Sequence, residues 1–367
     1  LVTYKRVKKA MDIVEQLDSL LPLSYRFSIS RIEKNEELEQ VHIYLEVSKA
    51  YRPFPHHSLH SYYERSWEHL RLFQYRSFLH CRLPVFLDRE SGKTTAMEAG
   101  FSREHSRFTL LYEQRVLELM QLHCCFTSVA AQLGIYPQRV ESSYHHYTTE
   151  AYLNHTTAVC ERVGLDETST RKGHDYITIF TDMDAQQVIA IEDGRSSDAI
   201  GAFFASHANP AAIRELSMDM SPAFINGAQE HLPWAGITFD KWHVFKLFER
   251  HLKKLDAKLG TYRELLFEYL QDFYNQHQPN EAMAQLIFMA DWIEEAAGKN
   301  ALSKSIRQHA QGLVNHVVTK LTNGLLEGIN SKIQAIKRIA RGFRYTDNFK
   351  KLILFAFGKI TVDQVNS

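Results

Sequence analysis

The chain has 367 residues, more than a typical domain of roughly 100 to 200 residues holds, so two or three domains are expected. Apolar residues make up 44% and charged residues 23%, ordinary globular usage that argues against disorder and against membrane spanning. Lys plus Arg equals Asp plus Glu at 43 each, so the whole-chain charge makes no case for a polyanionic partner and any basic surface is local.

The longest apolar run, residues 352–357, is broken by Gly358 and Lys359, well short of the roughly 18 to 20 residues a membrane helix needs. Residues 1–11 carry Lys5, Arg6, Lys8 and Lys9 without a following apolar core, so no secretion signal is read there. Cys81, Cys124, Cys125 and Cys160 contain no C-x-x-C pair, which excludes a four-cysteine zinc site and a disulfide framework and fits a reducing compartment. The 19 histidines show no repeated ligand spacing.

In chain order, residues 40–46 and 75–83 alternate with period two and predict strands of a small α+β module ending near 108. Helical spacing then begins, with Leu111, Val116, Leu119 and Met120 on one face. A second helix over 127–133 is closed by Gly134, and a third runs over 137–147. Helix, short glycine turn, helix is the spacing of a helix-turn-helix, and it is shared by three-helix packings that never touch nucleic acid.

From 158 the chain turns strand-rich. Strands are predicted over 158–166, 175–182 and 186–192, the last two as a hairpin about 183–185. A helix over 197–206, a strand over 213–219, a helix started by Pro222 and a strand over 237–240 complete the order β-β-β-α-β-α-β. Helical periodicity over 244–259, 262–273, 281–297 and 303–318 predicts an all-helical insertion. A last helix follows over 323–341, ended by Gly342.

Three acids stand out: Asp166 ending the first strand of this region, Asp219 ending the fourth, and Glu327 on the last helix. In this strand order the first and fourth strands are commonly neighbours, which would pair Asp166 with Asp219. Paired carboxylates repel and are tolerated mainly where a divalent cation neutralises them. Two such cations would serve in-line phosphoryl displacement. The alternative is that these acids are solvated strand ends or helix caps. Glu167, next to Asp166, is expected on the opposite face of the strand.

The most specific text is Gly-Leu-Asp-Glu at 164–167, Arg-Lys-Gly-His at 171–174, Asp-Met at 219–220 and Phe-Asp-Lys-Trp-His-Val at 239–244. Later come Thr-Asn-Gly-Leu-Leu-Glu-Gly-Ile-Asn at 322–330 and Ile-Lys-Arg-Ile-Ala-Arg-Gly-Phe-Arg at 336–344. Over nearly the whole chain this resembles the ISL3 family of bacterial insertion-sequence transposases. The resemblance implies an α/β RNase H-like, retroviral-integrase-type catalytic core with an all-α insertion, preceded by a small α+β zinc-finger-like module and a helix-turn-helix domain. The implied boundaries are 1–108 for the module, 109–156 for the helix-turn-helix region, 157–243 for the first part of the core, 244–320 for the insertion and 321–367 for the last part.

The resemblance implies Asp166, Asp219 and Glu327 as the catalytic, metal-binding triad, with Mg²⁺ or Mn²⁺ as cofactor. Asp240 and His243 match a D-x-x-H pair near the active site, with a plain buried pair pinning the start of the insertion as the alternative. Asn323 and Asn330 share the face of Glu327 and are supporting candidates, their alternatives being a helix cap and a surface amide. Lys332, Lys337, Arg338, Arg341 and Arg344 form a positive C-terminal stretch suited to DNA phosphates, or a solvated helix face. Lys241, Lys246, Arg250, Lys253, Lys254 and Lys258 make a second basic stretch with the same alternative.

The four zinc positions of the N-terminal module hold Tyr51, Phe54, Asp88 and Ser91, which makes zinc there doubtful. The expected activity is that of a DNA transposase acting on the terminal inverted repeats of a mobile element and on target DNA, with hydrolysis followed by strand transfer. Its expected setting is the bacterial cytoplasm, associated with the nucleoid, as a homodimer or higher oligomer on DNA and without a membrane. The alternatives are a domesticated or inactive DNA-binding protein of the same fold, or a metal-dependent nuclease without strand transfer.

Overall fold

The computed structural model describes residues 26–48, 57–153, 159–170, 175–207, 209–259, 262–321, 324–339 and 346–358. The chain divides into two compact units, one formed by 1–122 with 126–147 and 361–367, the other by 123–125 with 148–360.

In the first unit, β1 (Phe27–Asn35), β2 (Gln40–Val47), β3 (His57–Leu72), β4 (Tyr75–Asp88) and β5 (Thr94–Ala96) build one sheet in the order β1-β2-β4-β3, with β5 also on β4. The two strands expected from alternation are β2 and β4, which pair in parallel from Gln40↔Arg76 to Leu45↔Cys81. Val41, Ile43 and Leu45 face the same core as Leu79, Cys81 and Leu83, as period-two burial requires. Among the described residues up to Ala96 there is no helix, so the expected α+β module is all strand there. Of the four expected zinc positions, 51 and 54 lie outside the described residues. Asp88 and Ser91 bond one another, Ser91 Oγ donating to Asp88 Oδ2 at 2.5 Å while Glu90 N donates to Oδ1 at 3.0 Å. They close a turn.

Three helices follow: α1 (Leu110–His123), α2 (Phe126–Leu133) and α3 (Pro137–Leu153). Gly134 sits at φ +72°, where side chains are strained, and Ile135 N reaches back to Ala130 O at 3.0 Å to close the helix end. The hub of this bundle is Glu113, a fully buried carboxylate. It accepts hydrogen bonds from Arg103 Nε at 2.9 Å, Ser106 Oγ at 3.0 Å, Ser143 Oγ at 3.1 Å and Tyr147 OH at 2.7 Å.

In the second unit, β6 (Arg162–Ser169), β7 (Tyr176–Asp182), β8 (Gln187–Asp193), β9 (Glu215–Met218) and β10 (Gly236–Phe239) form a mixed sheet in the order β10-β9-β6-β7-β8. The first and fourth strands of the predicted order, β6 and β9, are neighbours, as expected. β6 begins at Arg162, later than expected, and does not end at Asp166: it stays paired with β7 through Ser169↔Tyr176. Its ladder with β9 stops at Gly164↔Ser217, so β9 no longer covers the strand at Asp166.

Between the strands run α4 (Ser197–Ser206) and α5 (Pro222–His231). After β10 come α6 (Lys241–Leu259), α7 (Tyr262–Tyr274), α8 (Pro279–Ala297) and α9 (Ala301–Thr319), with no strand among the described residues there. Leu266, Leu270 and Phe273 of α7 join Leu286, Met289 and Ile293 of α8 in the core that also holds Leu216 and Met218 of the sheet. α10 (Gly324–Ile339) and α11 (Thr346–Phe357) complete the described chain. Only the apolar run within α11 was noted in the sequence. With Phe349, Leu352, Ile353 and Phe355 buried, it is an amphipathic helix.

Candidate active site

Three parallel strands carry an acid at the same height. β6 pairs with β9 as Gly164↔Ser217, and continuing that register by two residues sets Asp166 level with Asp219. β10 pairs with β9 as Phe239↔Met218, so Asp240 is level with Asp219 as well, and Asp240 N donates to Met218 O at 2.8 Å. Asp219 and Asp240 each lie one residue past the end of their strand, and the charges of Asp219, Asp240 and His243 all act on Asp166, so these groups gather at the C-terminal edge of the sheet.

Each is fixed by local bonds. Asp166 Oδ1 accepts from Glu167 N at 2.8 Å, and Asp219 Oδ1 accepts from Ser221 N at 2.9 Å just ahead of Pro222. Asp240 is buried and caps α6, its Oδ2 accepting from His243 N at 3.2 Å and bonding His243 Nδ1 at 2.7 Å. The helix-cap alternative is thus true of Asp240, and capping leaves it in the row.

The electrostatics follow from crowding. Burial pushes the Asp166 carboxyl up to about 6, with Asp219 and Asp240 adding to the rise, while the Glu167 N–H and His243 oppose it. Burial acts to lower the His243 ring, but its bond to Asp240 and the charges of Asp240, Asp166 and Asp219 outweigh that and hold it above its ordinary value. Glu167 turns away to Arg195, Oε1 to NH1 at 3.6 Å.

α10 lies along the Asp166 face of β6, in step with it. A Cβ on Gly164 would meet Met183 Sδ at 2.5 Å and Leu326 Cδ1 at 2.9 Å, so glycine is what lets the helix approach this closely. Further on, Asn330 Nδ2 donates to Asp166 Oδ2 at 2.6 Å, Gln334 Nε2 to Thr168 Oγ1 at 2.6 Å, and Lys337 Nζ to Ser169 O at 2.8 Å. Eleven residues of helix and five of strand both advance about 16 Å, which is why the contacts stay in register. The Asn330 Oδ1 atom is buried without a hydrogen-bond partner.

Of the sequence-predicted residues, Asp166, Asp219, Asp240, His243 and Asn330 come together. Glu327 is exposed on α10, one turn before Asn330. Among the described residues no three His, Cys, Asp or Glu side chains converge closely enough to hold one metal ion. Lys332 and Arg338 are exposed, Lys337 is occupied by Ser169, and Asn323, Arg341 and Arg344 lie outside the described residues. Sequence reasoning missed Gln334 and Thr168, although the i, i+4 spacing of Asn330 and Gln334 was a signal that both share one helix face.

A mixed sheet edged with a row of acids and backed by a polar helix face defines an acid-edged α/β protein. Residues 163–265 and 261–353, more than half of the chain, match the ISL3 DDE family described as "Transposase". Residues 97–148 match the "Helix-turn-helix domain of transposase family ISL3". The chain belongs to the ISL3 transposase family. The transposase for insertion sequence element IS1001 of Bordetella parapertussis is 26% identical over 247 residues, 54% of this chain and 61% of that protein. The transposase for insertion sequence element IS1557 of Mycobacterium tuberculosis is 27% identical over 291 residues, 76% of this chain and 60% of that protein. The chain therefore spans less than two thirds of the length of either relative. No helix among the described residues is long and apolar enough to cross a membrane.

Proposed function

We propose that the chain binds the ends of an insertion sequence and catalyses Mg²⁺- or Mn²⁺-dependent DNA strand cleavage and strand transfer, on an RNase H-like core formed by the second unit. The observation that carries this reading is the row of Asp166, Asp219 and Asp240 on one rung, with Asp166 strained toward protonation. Such a cluster is costly until a cation neutralises it. Its all-oxygen donors suit a hard divalent ion, and the unpartnered Asn330 Oδ1 adds one more acceptor beside it.

Asp166, Asp219 and Glu327 would hold the metal. When bound, it supplies Lewis-acid neutralisation of charge at the phosphate under attack. Asn330 keeps Asp166 in its rotamer. Asp240 fixes the ring of His243, whose raised proton affinity leaves Nε2 as a donor to a phosphate oxygen. No covalent enzyme intermediate is needed, since positioning and charge neutralisation suffice. DNA binding by the helix-turn-helix over 97–148 and by the basic residues Lys332 and Arg338 would present the substrate, and two copies would bring two ends together.

The test is incubation with terminal-repeat duplexes, target DNA and Mg²⁺. The reading requires joined products; cleaved ends alone reduce it to a nuclease, and an intact retarded duplex reduces it to a binding protein. Asp166→Ala and Asp219→Ala should each lose cleavage by at least about a thousandfold while end binding persists.

A further inference from the structure

Beside the acid row stands a side chain that the chemistry above leaves unused. Trp242 occupies the first turn of α6, between Asp240, which caps the helix, and His243. Its indole is 49% exposed. Trp234, Tyr262 and Phe288 of this unit are also exposed, but Trp234 is bonded to Ile213 O and the other two meet Trp292, whereas Trp242 stands against His243 beside the acids. The His243 ring meets it edge-on with centroids 4.8 Å apart, which ties the indole to the acid row. The Lys246 ammonium lies 3.9 Å from its centroid. One helical turn separates Trp242 from Lys246 and another leads to Arg250, both exposed on the same stripe of α6.

An aromatic face followed by a line of cations is the chemistry of an unpaired nucleic-acid strand, base on the ring and phosphates on the cations. We propose that Trp242 is a stacking platform for one nucleobase unpaired beside the phosphate addressed by Asp166 and Asp219, with Lys246 moving from the ring to a neighbouring phosphate. Asp166 is half-buried and already held by Glu167 N and Asn330, so the phosphate must be drawn to the sheet edge. A base attached to a phosphate pulled inward loses its stack in the duplex, and the indole replaces that stack. The inference rests on the phosphodiester reading above and names a subsite within it.

The test uses the full chain without divalent metal and terminal-repeat duplexes identical except at one nucleotide, walked across the repeat boundary. At each position that nucleotide is paired, mismatched or abasic. At one position the wild type should bind the mismatched duplex about tenfold more tightly than the abasic one. Trp242→Phe should keep most of that preference, and Trp242→Ala should bind both duplexes alike with unchanged affinity for the abasic one. A wild type that never distinguishes mismatch from abasic, or a Trp242→Ala variant that still does, overturns the proposal. Adding Mg²⁺ to the same complexes separates the two ideas: absent cleavage with the Trp242-dependent preference intact sinks the phosphodiester reading and upholds the base platform.

Discussion

Glu113 and Asp166 are both carboxylates drawn out of water, and the two units treat them in opposite ways. Glu113 in the helical bundle is met by Arg103, Ser106, Ser143 and Tyr147, a cation and three hydroxyls, so its charge is matched on the spot. Asp166 is met by one backbone N–H and one amide, and the charges nearest it include two further carboxylates. A satisfied buried acid knits a fold together. One crowded by other carboxylates is pushed toward protonation, a pattern common at sites that do chemistry. The contrast separates a buried carboxylate whose partners match its charge from a half-buried one crowded by its own kind.

The comparison breaks most readily at Glu113. Glu113→Ala strips a half-buried guanidinium and three hydroxyls of their shared acceptor and should cost about 2 to 4 kcal/mol, seen as a lower denaturant midpoint for the first unit. A loss near zero would remove its standing as a hub. Next in size is the response of Asp166 to pH without metal. Its folded carboxyl holds its proton to about 6 against 3.8 for the ordinary group, so the native state binds more protons between those values. Stability conferred by that proton is present at low pH and lost as pH rises from about 4 to about 6, then stays lost. Asp166→Asn should flatten that fall and leave the metal-free second unit about 1 to 2 kcal/mol more stable at pH 7, after the lost acceptor for Asn330 Nδ2 is counted. A variant less stable than wild type at pH 7 would mean that Asp166 is as well satisfied as Glu113. The smallest effect is expected from Ser143→Ala, which takes one of four donors from Glu113 and should cost about 1 kcal/mol in a thermal melt.

Much of the second unit was legible in the sequence because its elements obey local rules. The helix over 197–206 appears with the same bounds, Pro222 starts α5, and each helix of the stretch after Asp240 is found within three residues of its expected start. The first unit was less legible: β1 and the sixteen-residue β3 escaped. Polar and aromatic residues run through β3 without clean alternation because much of it is exposed, so period two had no buried face to report. Glu113 escaped for a related reason, since its donors come from positions 7 to 34 residues away and leave no mark on its own helix.

By itself the sequence determined the order of strands and helices from β6 to α10, the identity of the acids and several turn and cap residues, since these depend on residues a few places apart. It also carried the family through its motifs. The tertiary structure decided which acids meet: hydrogen-bond register across β6, β9 and β10 levels Asp166, Asp219 and Asp240, and the bare Gly164 admits α10 so that Asn330 reaches Asp166. Register and helix approach depend on partners 21 to 164 positions away in the chain, beyond the reach of any local pattern.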